Sequence, residues 1–258
     1  MSLEPLNPDD PVFTAADLIA YQRARGLLPN IEPAESVILI FQRELMDYAV
    51  RKHRTKRFKL FGGELYLFKR TDNRIGLMGD FGAGSPATAA VVDQLAAFGV
   101  RRFVAIGLAG GLQPELNTGS LVISTGAIRG EGVSQHYLPP HSTVESSSEV
   151  VQGISKILTK QNQTHQLGIT WTTDAPFREL RKDVLEYQRQ GVLAVDMEAA
   201  AMLSVARASN LSAMAMFSIA DQLSSGQWRM ANDLRPAQKG LSVLFDAVFE
   251  YLMSVERL

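Results

Sequence analysis

The amino-acid sequence predicts an α/β fold, with a sheet covered by helices on both faces. Short apolar runs of strand length recur along the chain, separated by longer stretches of helical pattern. Two of these runs, 36–41 (SVILIF) and 213–220 (AMAMFSIA), are almost wholly apolar, as strands buried on both faces are. No shift of composition marks a linker between domains. The 258 residues therefore divide into an N-terminal arm, 1–34, and one domain, 35–258.

The elements follow in order. Residues 36–41 form the first buried strand, and 45–52 suit a helix. Residues 64–69 (ELYLFK) and 74–78 (RIGLM) read as strands. Residues 85–98 make a well-marked helix: Ser85 is a good N-cap, Pro86 fits the first turn, and Gly99 ends it. Residues 102–107 (RFVAIG) and 120–124 (SLVIS) are strands. Residues 142–149 (STVESSSE) and 160–165 (KQNQTH) are polar and read as loops. Residues 150–158 are helical, 168–172 a strand, and 178–189 a charged amphipathic helix. A strand at 193–195 leads into a helix at 197–209. The buried strand 213–220 follows, and a helix at 241–255 closes the chain.

Bulk properties narrow the function. Hydrophobic residues are 46% and charged residues 21%, the balance of a soluble globular protein. A net charge of −1 gives no global positive field for nucleic acid or anionic lipid, so neither is an expected partner. There is no cysteine, which excludes disulfides, thiolate catalysis and thiolate-bound metal, and suits a cytoplasmic location. The N-terminal stretch lacks the basic and apolar regions of a signal peptide. No apolar run approaches the roughly 20 residues of a membrane span. Histidines 53, 136, 141 and 165 lack zinc-site spacing, and no serine sits in G-x-S-x-G. No metal or organic cofactor is expected.

Ligands of open α/β sheets bind beyond the carboxyl ends of the strands. Five such places stand out. GDFGAGSP (79–86) joins a strand to a helix. Its glycines permit close backbone approach, and the helix N-terminus offers free N–H groups, though a tight turn alone would look the same. It is neither G-x-G-x-x-G nor a P-loop. AIGLAGGLQP (105–114) reads as a strand running into a glycine loop that presents backbone groups. TTDAPF (172–177) offers hydroxyls, an acid and an aromatic, and equally suits an N-cap network.

VDMEAAAML (195–203) places Asp196 and Glu198 where strand becomes helix. Acids in a first helical turn complement the helix dipole. That explains exposed acids better than acids leading into AAAML, which belongs in a core. Asp221, finally, ends the buried run AMAMFSIA, where it is placed either for acid catalysis or to start a loop.

These segments together resemble the nucleoside phosphorylase/nucleosidase family, which includes uridine phosphorylase, hexameric purine nucleoside phosphorylase and methylthioadenosine/S-adenosylhomocysteine nucleosidase. The resemblance runs from about Ser36 to the C-terminus. It rests on five marks in order: GDFGAGSPATAAVVDQLAAFGVRRFVAIGLAGGLQP, GSLVISTGAIRGEGVSQHYLPP, TTDAPF, VDMEAAAM and SIADQL.

It implies a three-layer αβα fold with a central mixed sheet. It also implies cleavage of the N-glycosidic bond of a nucleoside, purine or uridine, with phosphate as a possible co-substrate. By the resemblance, Glu198 binds the ribose hydroxyls and Met197 lies against sugar and base. Phe177 stacks on the base, Ala109 and Gly110 line the substrate site, and Asp221 protonates the leaving base. Asp221 favours a purine; RGEGVSQHYLPP looks more like the uridine phosphorylases. The family also implies a homo-oligomer, dimer or hexamer.

The sequence departs from the phosphorolytic members at the phosphate site. FQREL (41–45) stands where they carry Gly-Asp-Pro-x-Arg, and Ala105 and Leu108 stand at their Arg and Ser/Thr positions. Gly84, Arg43 and Arg57 are the remaining candidates to bind phosphate. The LAGGL stretch resembles the hydrolytic members, so turnover is expected to depend little on phosphate. The alternatives are a non-catalytic nucleoside sensor of the same fold and, more remotely, a dinucleotide-binding oxidoreductase using residues 79–84.

Overall fold

The computed structural model describes residues 10–141 and 143–256. Residues 1–9 of the expected arm, and Ser142 at the head of the expected polar loop, lie outside the described residues. The sheet is mixed and lies between helices. Strands β1 (Ser36–Ile40), β4 (Ile75–Gly79) and β5 (Arg102–Gly111) run parallel, and a β2 (Thr55–Leu60)–β3 (Gly63–Phe68) hairpin adds antiparallel to β4.

On the other side of β5 the sheet curls. β10 (Ser212–Gln222) pairs parallel with β5, β6 (Leu121–Gly130) antiparallel with β10, and β8 (His165–Thr173) parallel with β6. Short β9 (Ala194–Asp196) joins β8 back to the end of β5 and so closes a ring of strands. β7 (Thr143–Glu145) hangs on β6 and β11 (Arg229–Met230) on β10.

Alternation along the strands builds the two cores, because successive side chains point to opposite faces. Val37 and Leu39 of β1, with Phe103 and Ala105 of β5, pack in the core that holds α3 (Ser85–Phe98) and α6 (Ala199–Ala208). Ile38 and Ile40, with Val104 and Ile106, pack in the core that holds α2 (Arg43–Lys52), α4 (Ser148–Lys160) and α7 (Arg235–Val255). The small residues of α6, Ala199 to Ala201, are wholly buried and let this helix lie close to the sheet. α5 (Arg181–Arg189) sits at the end of the ring, where Val184 joins a small cluster with Trp171 and Leu223.

The arm is more structured than its sequence suggests. Its helix α1 (Ala15–Ala24) starts with a reciprocal capping box, in which Asp17 N–H donates to Thr14 Oγ1 and Thr14 N–H donates to Asp17 Oδ2. α1 packs on α3, and Arg23 reaches the carbonyl of Phe98.

Other boundaries also differ. The GLAGG stretch is not a loop but the last part of β5, hydrogen-bonded on both sides by β9 and β10. Its glycines serve packing rather than turning: a Cβ at Gly110 would collide with Leu223. β6 runs on to Gly130, beyond 124, because β8 pairs along its length. The polar stretch at 142–149 contains β7, whose Val144 is buried. α5 starts at Arg181, three residues later than its charge pattern suggests. Among the described residues, no helix is long and apolar enough to cross a membrane.

Candidate active site

The ends of β1, β5, β8, β9 and β10 surround one cavity of about 830 Å³. That is the size range of small-molecule sites. Two walls of different construction face each other across it.

The first wall is the junction of β9 and α6. Asp196 is 4% exposed and Glu198 8%. Asp196 caps α6: its Oδ1 accepts from the N–H groups of Glu198 (2.8 Å) and Ala199 (2.7 Å) and from the hydroxyl of Thr172 (3.1 Å). Thr172 Oγ1 in turn accepts from Ala200 N–H (2.9 Å), tying β8 to the same helix start. The helix-dipole explanation of this acid therefore holds for Asp196.

Glu198 is different, because it lines the cavity. Its Oε1 accepts from Gly84 N–H at 2.7 Å and its Oε2 from Met197 N–H at 3.3 Å. Ser85 Oγ donates to the Met197 carbonyl at 2.8 Å, so the GDFGAGSP turn and the VDMEAAAML junction lock together. Gly84 has φ +86°, a left-handed backbone that glycine adopts without strain, and this aims its N–H at Glu198.

A buried acid raises the proton affinity of another close by. Burial first, and then the charge of Asp196, push Glu198 up to about 7, against the Gly84 and Met197 amides. Burial lifts Asp196 to about 6, against the amides of Ala199 and Glu198 and the Thr172 hydroxyl.

The second wall comes from the β8–α5 turn and the end of β10. Phe177 lines the cavity while 98% exposed, and Trp228 lines it while 67% exposed. Asp221 pairs in β10 just past an irregularity in the β5 register, and its Oδ2 accepts from Trp228 Nε1 at 2.7 Å. Burial raises the Asp221 pKa, and the indole N–H opposes it. Ala109 and Gly110 of β5 form the floor between the walls.

The structure thus brings Asp221, Glu198, Met197, Phe177, Gly110 and Ala109 around one cavity. It does not bring the three phosphate candidates there. The Gly84 amide serves Glu198 instead of an anion. Arg43 is exposed and pairs with Asp80 (2.6 Å) and Asp47 (3.3 Å). Arg57, on the edge hairpin, pairs with Glu64. Arg181 is the cation that does line the cavity, and its Nε donates to the Gly226 carbonyl at 3.1 Å.

Sequence reasoning also missed Glu179, which lies two residues after Phe177 and lines the cavity. Burial first, and then the charge of Asp221, push it up to about 7. Trp228 was missed as well, because no motif surrounds it.

A model of the phosphorylase superfamily matches residues 37–250. Uridine phosphorylase of Escherichia coli (strain K12) is 26% identical over 183 residues, covering 66% of this chain and 70% of that one. Guanosine phosphorylase of Halorubrum lacusprofundi is 27% identical over 151 residues, covering 58% of this chain and 63% of that one. A crystal structure of uridine phosphorylase from Vibrio fischeri ES114, complexed with 6-hydroxy-1-naphthoic acid, superposes with a TM-score of 0.75 at 19% identity. It covers 88% of this chain and 93% of that one.

Proposed function

The chain belongs to the phosphorylase superfamily, and from that premise we propose that it cleaves the N-glycosidic bond of a nucleoside. The observation that carries the reading is the gathering of Glu198, Asp221 and Phe177 around one cavity. A buried carboxylate needs donors, and a ribose diol supplies two. Glu198 receives the diol on the side its two backbone donors leave free, and Met197 lies under the sugar. Phe177 covers the base, as exposed aromatics at binding sites do. As the bond breaks, the ribose gains positive charge beside Glu198, and the base gains electrons beside Asp221. Asp221 neutralises that charge by giving the base a proton, so each wall stabilises its own half of the transition state.

The relatives named above are phosphorylases, which makes phosphate the first candidate for the nucleophile. A second reading, attack by water, is favoured by one observation: Arg43 and Arg57 are each paired to carboxylates away from the cavity lining. A phosphate dianion needs several strong donors, and water needs only one hydrogen-bonding partner. A rate series over phosphate concentration, with the sugar product identified, separates the two. A saturable rise with ribose 1-phosphate means phosphorolysis; a flat rate with free ribose means hydrolysis; no turnover of inosine, adenosine or uridine under either condition overturns the reading itself.

The exposed Phe177, Leu180 and Trp228 at the cavity mouth fit coverage by a second copy of the chain. Light scattering at micromolar concentration should give an oligomer, and a monomer would count against this.

A further inference from the structure

Charge lines the cavity unevenly. Glu179, Asp196, Glu198 and Asp221 are carboxyl groups, and among the described residues of the lining Arg181 is the only cation. Arg181, whose Nε is held by the Gly226 carbonyl at 3.1 Å, balances at most one of the four. In the proposed chemistry Glu198 meets the ribose and Asp221 serves the base, so Glu179 and Asp196 are left over. Asp196 Oδ1 takes three donors, but its Oδ2 is buried with no partner among the described residues. Glu179 is half-buried on the turn between β8 and α5 and likewise has no hydrogen-bond partner there. Negative charge that the protein leaves uncompensated in a partly desolvated cavity favours a positive ligand over a neutral one.

The base wall holds the second component of cation recognition. Trp228 Nε1 donates to Asp221 Oδ2 at 2.7 Å, and Phe177 precedes Glu179 by two residues on one turn. All four line the cavity. The face of an aromatic ring attracts a cation, tryptophan most strongly. A neutral base gains only the ring contacts; a flat cationic base gains the rings and the carboxylates together.

Resting on the nucleoside-cleavage reading, we propose that the cavity also takes nucleosides whose base is a flat ring with a fixed positive charge, such as a pyridinium riboside, and that Glu179 selects them.

The step balances without an acid. The electron pair of the C1′–N bond returns to the ring and discharges it, so the base leaves neutral and no proton joins it. A water or phosphate oxygen forms the new bond to C1′, and an attacking water gives its released proton to solvent. Glu179 and Asp221 then act by charge alone, whereas a neutral base still draws its proton from Asp221. Burial and the charge of Asp221 push Glu179 up to about 7, so at pH 8 it is mainly an anion before any ligand arrives.

Two carbocyclic nucleosides that cannot be cleaved provide the test. One carries the pyridinium ring of nicotinamide; the other carries benzamide, with carbon in place of the charged nitrogen. They share a shape and differ in charge. In calorimetric titrations at pH 8 the cation should bind about tenfold more tightly or better. Glu179→Gln should reduce that ratio to about threefold or less. Nicotinamide riboside itself should release nicotinamide. Its kcat should fall in Asp221→Asn by at least about tenfold less than kcat on the best neutral-base nucleoside, which needs the proton. Equal affinity for the two analogues, binding of neither, or a ratio that Glu179→Gln leaves intact would overturn the proposal, and the cleavage reading would still stand on any neutral nucleoside that is turned over. A charge-selective, Glu179-dependent site that cleaves no nucleoside would sink the cleavage reading alone.

Discussion

The sugar wall and the base wall of the cavity are built on opposite principles. At the sugar wall, Asp196 and Glu198 are almost wholly buried, and four backbone N–H groups and a threonine hydroxyl hold three of their four oxygens. At the base wall, Phe177 and Trp228 stand mostly in solvent, and Glu179 has no hydrogen-bond partner among the described residues. The sugar wall is fixed before a ligand arrives, because moving Asp196 would uncap α6 and moving Glu198 would release Gly84. The base wall is carried by turns and has fewer ties to the core. On the proposed reading, the ribose, common to all nucleosides, faces the rigid wall, and the base, which varies, faces the adaptable one.

The largest expected effect falls on the base wall. Asp221→Asn should lower kcat on the best nucleoside by about 10²–10⁴, the usual contribution of a positioned acid or base, with a smaller change in KM. A variant with wild-type kcat would show that the base wall only binds. At the sugar wall the effect should appear in binding. Glu198→Ala removes a charged acceptor and should weaken nucleoside affinity by roughly 1.5–3 kcal/mol. The 2′-deoxynucleoside should suffer less than the ribonucleoside, because it offers one hydroxyl fewer. Equal losses for both sugars would mean that Glu198 holds Gly84 rather than the diol.

The two walls were not equally legible in the sequence. Asp196, Met197 and Glu198 are contiguous, and their apolar context marked them as buried acids. Asp221 was legible because it ends an apolar strand. Glu179 and Trp228 belong to separate turns with no periodicity; the folded ring brings Glu179 to the cavity of Asp221, and the short β10–β11 turn brings Trp228. One usable signal was present: Glu179 follows Phe177 closely on the same turn. Arg43 lies in the FQREL segment and Arg57 near it in sequence. Nearness in sequence does not reveal that Asp80 and Glu64, on or beside other strands, are their partners. The GLAGG stretch reads as a loop in the sequence because glycine usually signals a turn. Here it signals β5 packed against Leu223, a long-range contact that no local pattern encodes. The alternation of strands and helices was legible, whereas the ring closure through the three residues of β9 was not.

The rigid wall has a cost that pH should expose. Glu198 is raised to about 7 and Asp196 to about 6, so between the ordinary carboxylate range and these values the folded protein binds more protons than the unfolded chain. Stability must then fall as pH rises through that window, the reverse of a salt-bridged acid. The ligand-free protein should therefore melt at a higher temperature near pH 5.5 than near pH 7.5, by about 2–4 °C for each kcal/mol involved. Glu198→Gln keeps an acceptor for Gly84 but cannot ionise, and should flatten the slope. A slope unchanged in that variant would place the titration elsewhere.

The smallest effect is expected at Phe177, and it separates the walls most directly. A buried Phe truncated to Ala leaves a cavity and destabilises the fold by several kcal/mol. Phe177 is 98% exposed, so Phe177→Ala leaves no cavity, and the melting temperature of the ligand-free protein should not move. On the proposed reading, the ring gains a partner when a base lies against it. Its removal should weaken nucleoside binding by about 0.5–1.5 kcal/mol, the range of an aromatic pair, with no change in the ratio of ribo- to deoxyribonucleoside affinity. Isothermal titration on the variant and the unaltered protein reads both quantities. A lowered melting temperature would mean that Phe177 is covered in solution, as coverage of the mouth by a second copy would produce. Unchanged nucleoside affinity would mean that the base lies elsewhere in the cavity, and Trp228→Ala would then be the variant that weakens it.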